Sequence, residues 1–180
     1  MNKAIFLDRD GVINEVLSKR VKFVNRPEDF HLLDGVGEAI HILNQLDYKV
    51  FVVTNQGGVG LGYMKESTLL KVHEKMLEDL ATYDAKIDDI LFCPHRPDEG
   101  CVCRKPEPEM LFQLAKKHDV DLSKSYMVGD RQPDIEAGNK AGVKTVLVGN
   151  RKEKAAADYV FSNLLAFSHW LKSEIDMTTQ

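Results

Sequence analysis

The stretch Ala4-Ile5-Phe6-Leu7-Asp8-Arg9-Asp10-Gly11 decides the fold: four apolar residues in a row, then two carboxylates two positions apart and a glycine. A short apolar run closed by a turn signal reads as a strand buried on both faces. Residues at i and i+2 of an extended segment point the same way, which crowds Asp8 and Asp10 together at the strand's end. Two such acids repel unless a cation lies between them or one keeps its proton. A hard, oxygen-seeking ion such as Mg²⁺ meets that need, leaving one acid to act as nucleophile and the other as general acid and base. Taken alone the pair is equally a turn cap, since Asp and Gly are ordinary turn formers.

Later segments end in the same manner. Val50-Phe51-Val52-Val53 runs into Thr54-Asn55-Gln56-Gly57-Gly58, and Tyr126-Met127-Val128-Gly129 runs into Asp130, with Asp134 four residues on. Between them Cys103-Arg104-Lys105-Pro106 opens a new helical stretch. In open parallel sheets ligands gather outside the carboxyl ends of the strands, so these polar clusters converge on one crevice. Singly, Thr54-Asn55 would be a strand terminus, Asp130 a helix cap and Lys105 a solvated surface lysine.

Apolar periodicity lays out the rest. Strands are expected near 3–8, 49–54, 87–93, 125–129, 143–148 and at Tyr159-Val160-Phe161. Helices are expected near 35–46, 65–83, from 107 to about His118, near 132–141, and over a last segment holding Leu164, Leu165, Phe167, Trp170 and Leu171. The 65–83 helix is expected to turn Leu69, Val72, Met76, Leu77 and Leu80 inward. Strict alternation of strand and helix implies a doubly wound α/β fold, a Rossmann-like parallel sheet covered on both faces. The irregular stretches 11–34, 55–64 and 93–106 all leave carboxyl ends of strands, and none is large enough to fold as a lid domain, so the crevice is capless.

At 180 residues the chain is most economically a single domain, 1–180. The net charge of −4 is mild and the basic residues are scattered, so no nucleic-acid footprint is expected. No apolar stretch is long enough to span a bilayer, and no secretory signal is visible. A cytoplasmic monomer acting on a small molecule is the expectation.

Three cysteines, at 93, 101 and 103, share a short loop with His95. An odd count argues against a disulfide framework. Cys93, His95, Cys101 and Cys103 instead supply four ligands within eleven residues, enough to close a tetrahedral shell around Zn²⁺. A closed shell makes that metal structural, tying down the segment Arg96-Pro97-Asp98-Glu99-Gly100 beside the crevice.

With Asp8-Arg9-Asp10-Gly11, Thr54-Asn55, Lys105 and Asp130 in this order, the chain resembles the haloacid dehalogenase superfamily of phosphohydrolases over nearly its whole length. Cys93-Pro94-His95 followed by Cys101-Val102-Cys103-Arg104-Lys105-Pro106 is similar to the subgroup of heptose bisphosphate phosphatases and histidinol-phosphatase domains. The resemblance implies that Asp8 is the nucleophile and forms an aspartyl-phosphate, while Asp10 protonates the leaving oxygen and later deprotonates water. It places Mg²⁺ on the Asp8 carboxylate, the Asp10 main-chain carbonyl and the Asp130 carboxylate, with Asp134 supporting from the edge. Thr54, the Asn55 amide and Lys105 would grip the phosphoryl group, and Arg104 or Arg131 would hold a second phosphate. The implied reaction is hydrolysis of a sugar bisphosphate, D-glycero-D-manno-heptose 1,7-bisphosphate first, histidinol phosphate second. A catalytically silent zinc-bearing phosphate-binding module is the alternative of another class. One departure stands out: the heptose-type pattern continues with a serine and then an arginine, where this chain has Gly57-Gly58-Val59-Gly60-Leu61-Gly62.

Overall fold

The computed structural model describes residues 1–149 and 155–179; the remainder of the expected domain, including Arg151, lies outside the described residues. In chain order the regular elements are β1 (Ala4–Leu7), α1 (Val36–Gln45), β2 (Lys49–Asn55), α2 (Glu66–Ala81), β3 (Asp89–Cys93), α3 (Glu109–Lys117), β4 (Tyr126–Gly129), α4 (Gln132–Ala141), β5 (Lys144–Val148), β6 (Tyr159–Phe161) and α5 (Leu164–Thr178). The strands form one six-stranded sheet in the order β3-β2-β1-β4-β5-β6. Every pairing is parallel.

Because successive side chains of a strand alternate in direction, the unbroken apolar runs feed two cores at once. Ile5, Leu7, Val50, Val52 and Val128 pack with Ile40 and Leu43 of α1, Val72 and Met76 of α2, and Phe167 and Leu171 of α5. Ala4, Phe6, Phe51, Val53 and Met127 pack on the opposite face with Leu111 and Leu114 of α3 and Ala137 of α4. Burying a side chain of this size stabilises by about 1.5–3 kcal/mol relative to exposure, so a polar residue in β1 would disrupt a core whichever way it pointed.

Local chemistry sets the element ends. Gly142, at φ +83°, takes the left-handed conformation that stops α4. Asn163 caps α5 by accepting from the Ala166 N–H at 2.8 Å. The helix expected from 107 begins at Glu109 instead. Pro108 is the reason, because the residue before a proline is pushed out of helical geometry.

The stripe on α2 also differs from expectation. Leu77 is 41% exposed, whereas His73 is 4% exposed and takes the inward place. At 100° per residue, Leu69, Val72, His73, Met76 and Leu80 fill one stripe and Leu77 falls beyond its edge. A histidine among apolar neighbours was not part of the expected core.

Within the glycine run 57–62, Gly57 and Gly60 pack one loop against another. A Cβ on Gly60 would meet the Pro94 carbonyl at 2.8 Å and the Arg96 N at 2.9 Å, and one on Gly57 would meet the His95 carbonyl at 3.3 Å. Gly60 N–H donates to that Pro94 carbonyl at 2.9 Å, so the 55–64 loop lies directly against the Cys/His loop.

Candidate active site

The order β2-β1-β4 at the centre of the sheet places the ends of these three strands side by side. Asp8 leaves β1, Thr54 and Asn55 end β2, and Asp130 follows β4. A crevice of about 610 Å³ opens over them, lined by Asp8, Asp10, Asn55, Arg104, Lys105, Arg131 and Asp134, with Leu17 and Phe23 at its apolar wall. A larger cavity of about 810 Å³ lies beyond the 11–18 segment, but it holds only Asp130 of the residues expected from sequence.

Lys105 is 3% exposed. Its Nζ donates to Asp8 Oδ1 at 2.9 Å and to Asp134 Oδ1 at 2.6 Å. Burial alone would push the ammonium toward neutrality, but the charges of Asp134 and Asp8 more than offset it and Lys105 stays protonated. Asn55 fixes this lysine from the neighbouring strand: its Oδ1 accepts from Lys105 N at 2.9 Å, and its Nδ2 donates to the Lys105 carbonyl at 3.0 Å.

Asp8, Asp130 and Asp134 offer carboxylate oxygens that all lie within 4.8 Å of one another, an arrangement able to hold a metal ion. Burial, and then the Asp134 charge, hold the Asp8 carboxyl well above its ordinary range, with Lys105 pulling the other way. Asp8 and Asp134 share Lys105 and stand with Asp130 as a set of hard oxygen donors, the kind a divalent cation takes. The backbone admits that crowding only through glycine: a Cβ on Gly11, at φ +83°, would collide with the Asp130 carboxylate.

Asp10 faces a different environment. Its Oδ1 accepts from Arg9 Nη2 at 2.8 Å and from Asn14 Nδ2 at 3.0 Å, and its Oδ2 accepts from Gln56 Nε2 at 3.2 Å. Burial pushes this carboxyl up, but the Arg9 charge and the hydrogen bonds from Asn14, Arg9 and Gln56 outweigh it and hold Asp10 below its usual value. Two carboxyls two residues apart are thereby driven in opposite directions, Asp8 up and Asp10 down. Thr54 is buried and its Oγ1 accepts from the same Gln56 Nε2 at 2.9 Å.

Arg104 and Arg131 both reach the crevice wall. The Arg104 Nη1 is buried with no hydrogen-bond partner among the described residues, and nearby Glu107 pairs with Lys140 at 3.2 Å. Arg131 N–H donates to Asp134 Oδ2 at 3.2 Å, closing the first turn of α4.

The four ligand atoms of Cys93, His95, Cys101 and Cys103 also converge within 4.8 Å. Cys103 Sγ lies 2.8 Å from Cys93 Sγ and 3.2 Å from His95 Nδ1, so the imidazole presents Nδ1 to the cluster. Burial, then the Cys103 hydrogen bond, push the Cys93 thiol up to about 12. A bound cation is what makes such a thiol a thiolate at neutral pH. Lys105 stands two residues from Cys103, so the cluster anchors the strand of chain that delivers it.

Sequence reasoning missed Arg9, Asn14, Gln56 and His73. Arg9 stands between the two acids in the strand-end motif, and its complete burial was the unread signal. Asn14, Gln56 and His73 had no spacing signal, because their contacts with Asp10 and Arg9 form only through the fold.

A family model described as "HAD-hyrolase-like" matches residues 102–166. The D-glycero-alpha-D-manno-heptose-1,7-bisphosphate 7-phosphatase of Campylobacter jejuni is 40% identical over 174 residues, covering 96% of this chain and 97% of the relative. The corresponding beta-anomer 7-phosphatase of Haemophilus influenzae is 39% identical, with 96% and 98% covered. Among solved structures, the D,D-heptose 1,7-bisphosphate phosphatase of B. bronchiseptica, complexed with magnesium and phosphate, superposes with a TM-score of 0.86 at 38% identity, covering 96% and 99% of the two chains. Acid pair, lysine bridge, parallel sheet and close relatives agree: the chain belongs to the heptose bisphosphate phosphatase family of haloacid dehalogenase-type hydrolases.

Proposed function

We propose that the protein is a Mg²⁺-dependent phosphatase that removes the C7 phosphate of D-glycero-D-manno-heptose 1,7-bisphosphate through an aspartyl-phosphate on Asp8. The observation that carries this reading is Lys105 Nζ lying 2.9 Å from Asp8 Oδ1 in a crevice lined by Asp10, Asp134, Arg104 and Arg131, with an Asp130 carboxylate oxygen within 4.8 Å of those of Asp8 and Asp134. Asp8, Asp130 and the Asp10 carbonyl would hold Mg²⁺, which when bound offsets the repulsion between carboxylate and phosphate.

In the first step an Asp8 carboxylate oxygen attacks phosphorus and the bond from phosphorus to the C7 oxygen breaks. The incoming phosphate brings negative charge beside Asp10 and raises its carboxyl toward the range in which it holds a proton. Asp10 gives that proton to the departing sugar oxygen, then takes one from the water that attacks the aspartyl-phosphate, releasing inorganic phosphate and restoring Asp8. Lys105 faces the charge spread over the transferring group. Cys93, His95, Cys101 and Cys103 would hold a structural Zn²⁺ that fixes the loop ahead of Lys105.

The substrate reading rests on the relatives' names and on the charge of the wall. Arg104, with a buried donor left without a partner among the described residues, and Arg131 suit the second phosphate of a bisphosphate. The same arginines disfavour the cationic amine of histidinol phosphate. Phosphate release from both heptose bisphosphate anomers and from histidinol phosphate, with Mg²⁺ present, tests this. A heptose bisphosphate is expected to be preferred in kcat/KM by on the order of 10²-fold, and comparable turnover of histidinol phosphate would overturn the assignment.

A further inference from the structure

Arg9 is fully buried, and a guanidinium in that position is costly unless its donors are met. Its Nε and Nη2 serve Asp10 Oδ1 at 3.2 and 2.8 Å, and Nε also serves Asn14 Oδ1 at 3.1 Å. The remaining edge is met from α2, where His73 Nε2 lies 3.1 Å from Arg9 Nη1 across a separation of 64 residues. Arginine only donates, so Nε2 must accept and the ring proton sits on Nδ1. Burial, then the Arg9 charge, push His73 down to about 3, which keeps the ring in this accepting form.

The consequence falls on Asp10. Its Oδ1 is engaged by Arg9 and Asn14, while Oδ2 keeps a single hydrogen bond among the described residues, Gln56 Nε2 at 3.2 Å. Oδ2 is thus the oxygen available to exchange a proton, and its direction is set by where Arg9 holds Oδ1.

We propose that His73 is a positioning residue for phosphoryl transfer: by accepting from Arg9 it locks the guanidinium onto Asp10 Oδ1 and aims Oδ2 at the leaving oxygen. This rests on the reading of Asp10 as acid and base. His73 itself touches no part of the crevice, so its effect is confined to the step that needs an aligned proton donor. An alkoxide leaving group needs that proton and a nitrophenolate does not, which makes the two esters report differently on the alignment.

The experiment compares kcat and KM for heptose bisphosphate and for 4-nitrophenyl phosphate in His73→Leu, His73→Gln and Asp10→Asn. His73→Leu removes the acceptor and is expected to lower kcat on the sugar ester about tenfold with KM nearly unchanged, and to lower the aryl ester several-fold less. His73→Gln places a carbonyl oxygen near the position of Nε2 and is expected to restore most of the loss. Both esters are read on one preparation, so partial unfolding cancels in their ratio. Should His73→Leu yield no folded protein, Arg9→Lys, which cannot bridge His73 and Asp10 in the same way, is judged by the same ratio. An equal loss on both esters, or a loss confined to KM, overturns the proposal when Asp10→Asn remains selective for the sugar ester. If Asp10→Asn is itself unselective, the acid/base reading of Asp10 falls and the proposal with it.

Discussion

Lys105 Nζ meets Asp8 Oδ1 at 2.9 Å although the two residues stand 97 positions apart. Asp8 follows a central strand and Lys105 follows the Cys/His loop, so the contact joins the carboxylate proposed as nucleophile to a cation delivered by another loop. Four expectations grow from this pairing and its surroundings.

Asp8→Asn should abolish turnover, by on the order of 10³-fold or more, while inorganic phosphate still binds. The same change should leave the metal-free protein at least as stable as the parent, because burial and Asp134 already disfavour the Asp8 carboxylate. Steady-state kinetics and thermal melts in chelator check both halves. Substantial residual turnover would remove Asp8 from the nucleophile's role.

Lys105→Met strips the cation from two buried acids that it contacts at 2.9 and 2.6 Å. Breaking a buried pair from one side costs about 3–5 kcal/mol, so a loss of that size is expected in urea unfolding without metal, with Mg²⁺ recovering part of it. An unchanged midpoint would mean that Asp8 and Asp134 do not depend on Lys105.

Mg²⁺ itself should stabilise in a pH-dependent way. With the Asp8 carboxyl raised in the folded state, the folded protein holds a proton that the unfolded chain has lost, so metal-free stability declines as pH climbs from the ordinary carboxylate range through the raised one. Mg²⁺ takes the place of that proton. Its effect on Tm should therefore be large near about pH 7.5 and small near about pH 4.5; equal shifts at both would place the ion elsewhere.

Cys101→Ser should lower the zinc content and the melting temperature before it alters chemistry on an activated aryl ester. Elemental analysis and a melt read the two quantities. Retention of full zinc content would dismantle the four-ligand site proposed for Cys93, His95, Cys101 and Cys103, whose donor atoms converge within 4.8 Å.

The central strands were legible in the chain because β1, β2 and β4 carry unbroken apolar runs, and such a run belongs between two layers of helix. That reasoning also located Asp8, Asp10, Thr54, Asn55 and Asp130, since polar residues that abruptly close such runs must gather at one edge of the sheet. It erred at Leu77 and at residue 107. In the first case His73 takes the inward place and Leu77 falls beyond the edge of the stripe, and in the second Pro108 delays the helix.

Composition, periodicity and the order of its motifs therefore determined the doubly wound fold, the acid pair at the end of β1 and the grouping of Cys93, His95, Cys101 and Cys103, because these depend on residues close together in the chain. Only the tertiary structure decided that Asn55 clamps the main chain of Lys105, that Lys105 bridges Asp8 to Asp134, and that His73 reaches Arg9 behind Asp10. Contacts of this kind pair a donor and an acceptor tens of residues apart, and local pattern carries no trace of them. They exist because parallel crossovers bring the ends of distant strands within hydrogen-bonding reach, where burial makes every unmet charge costly.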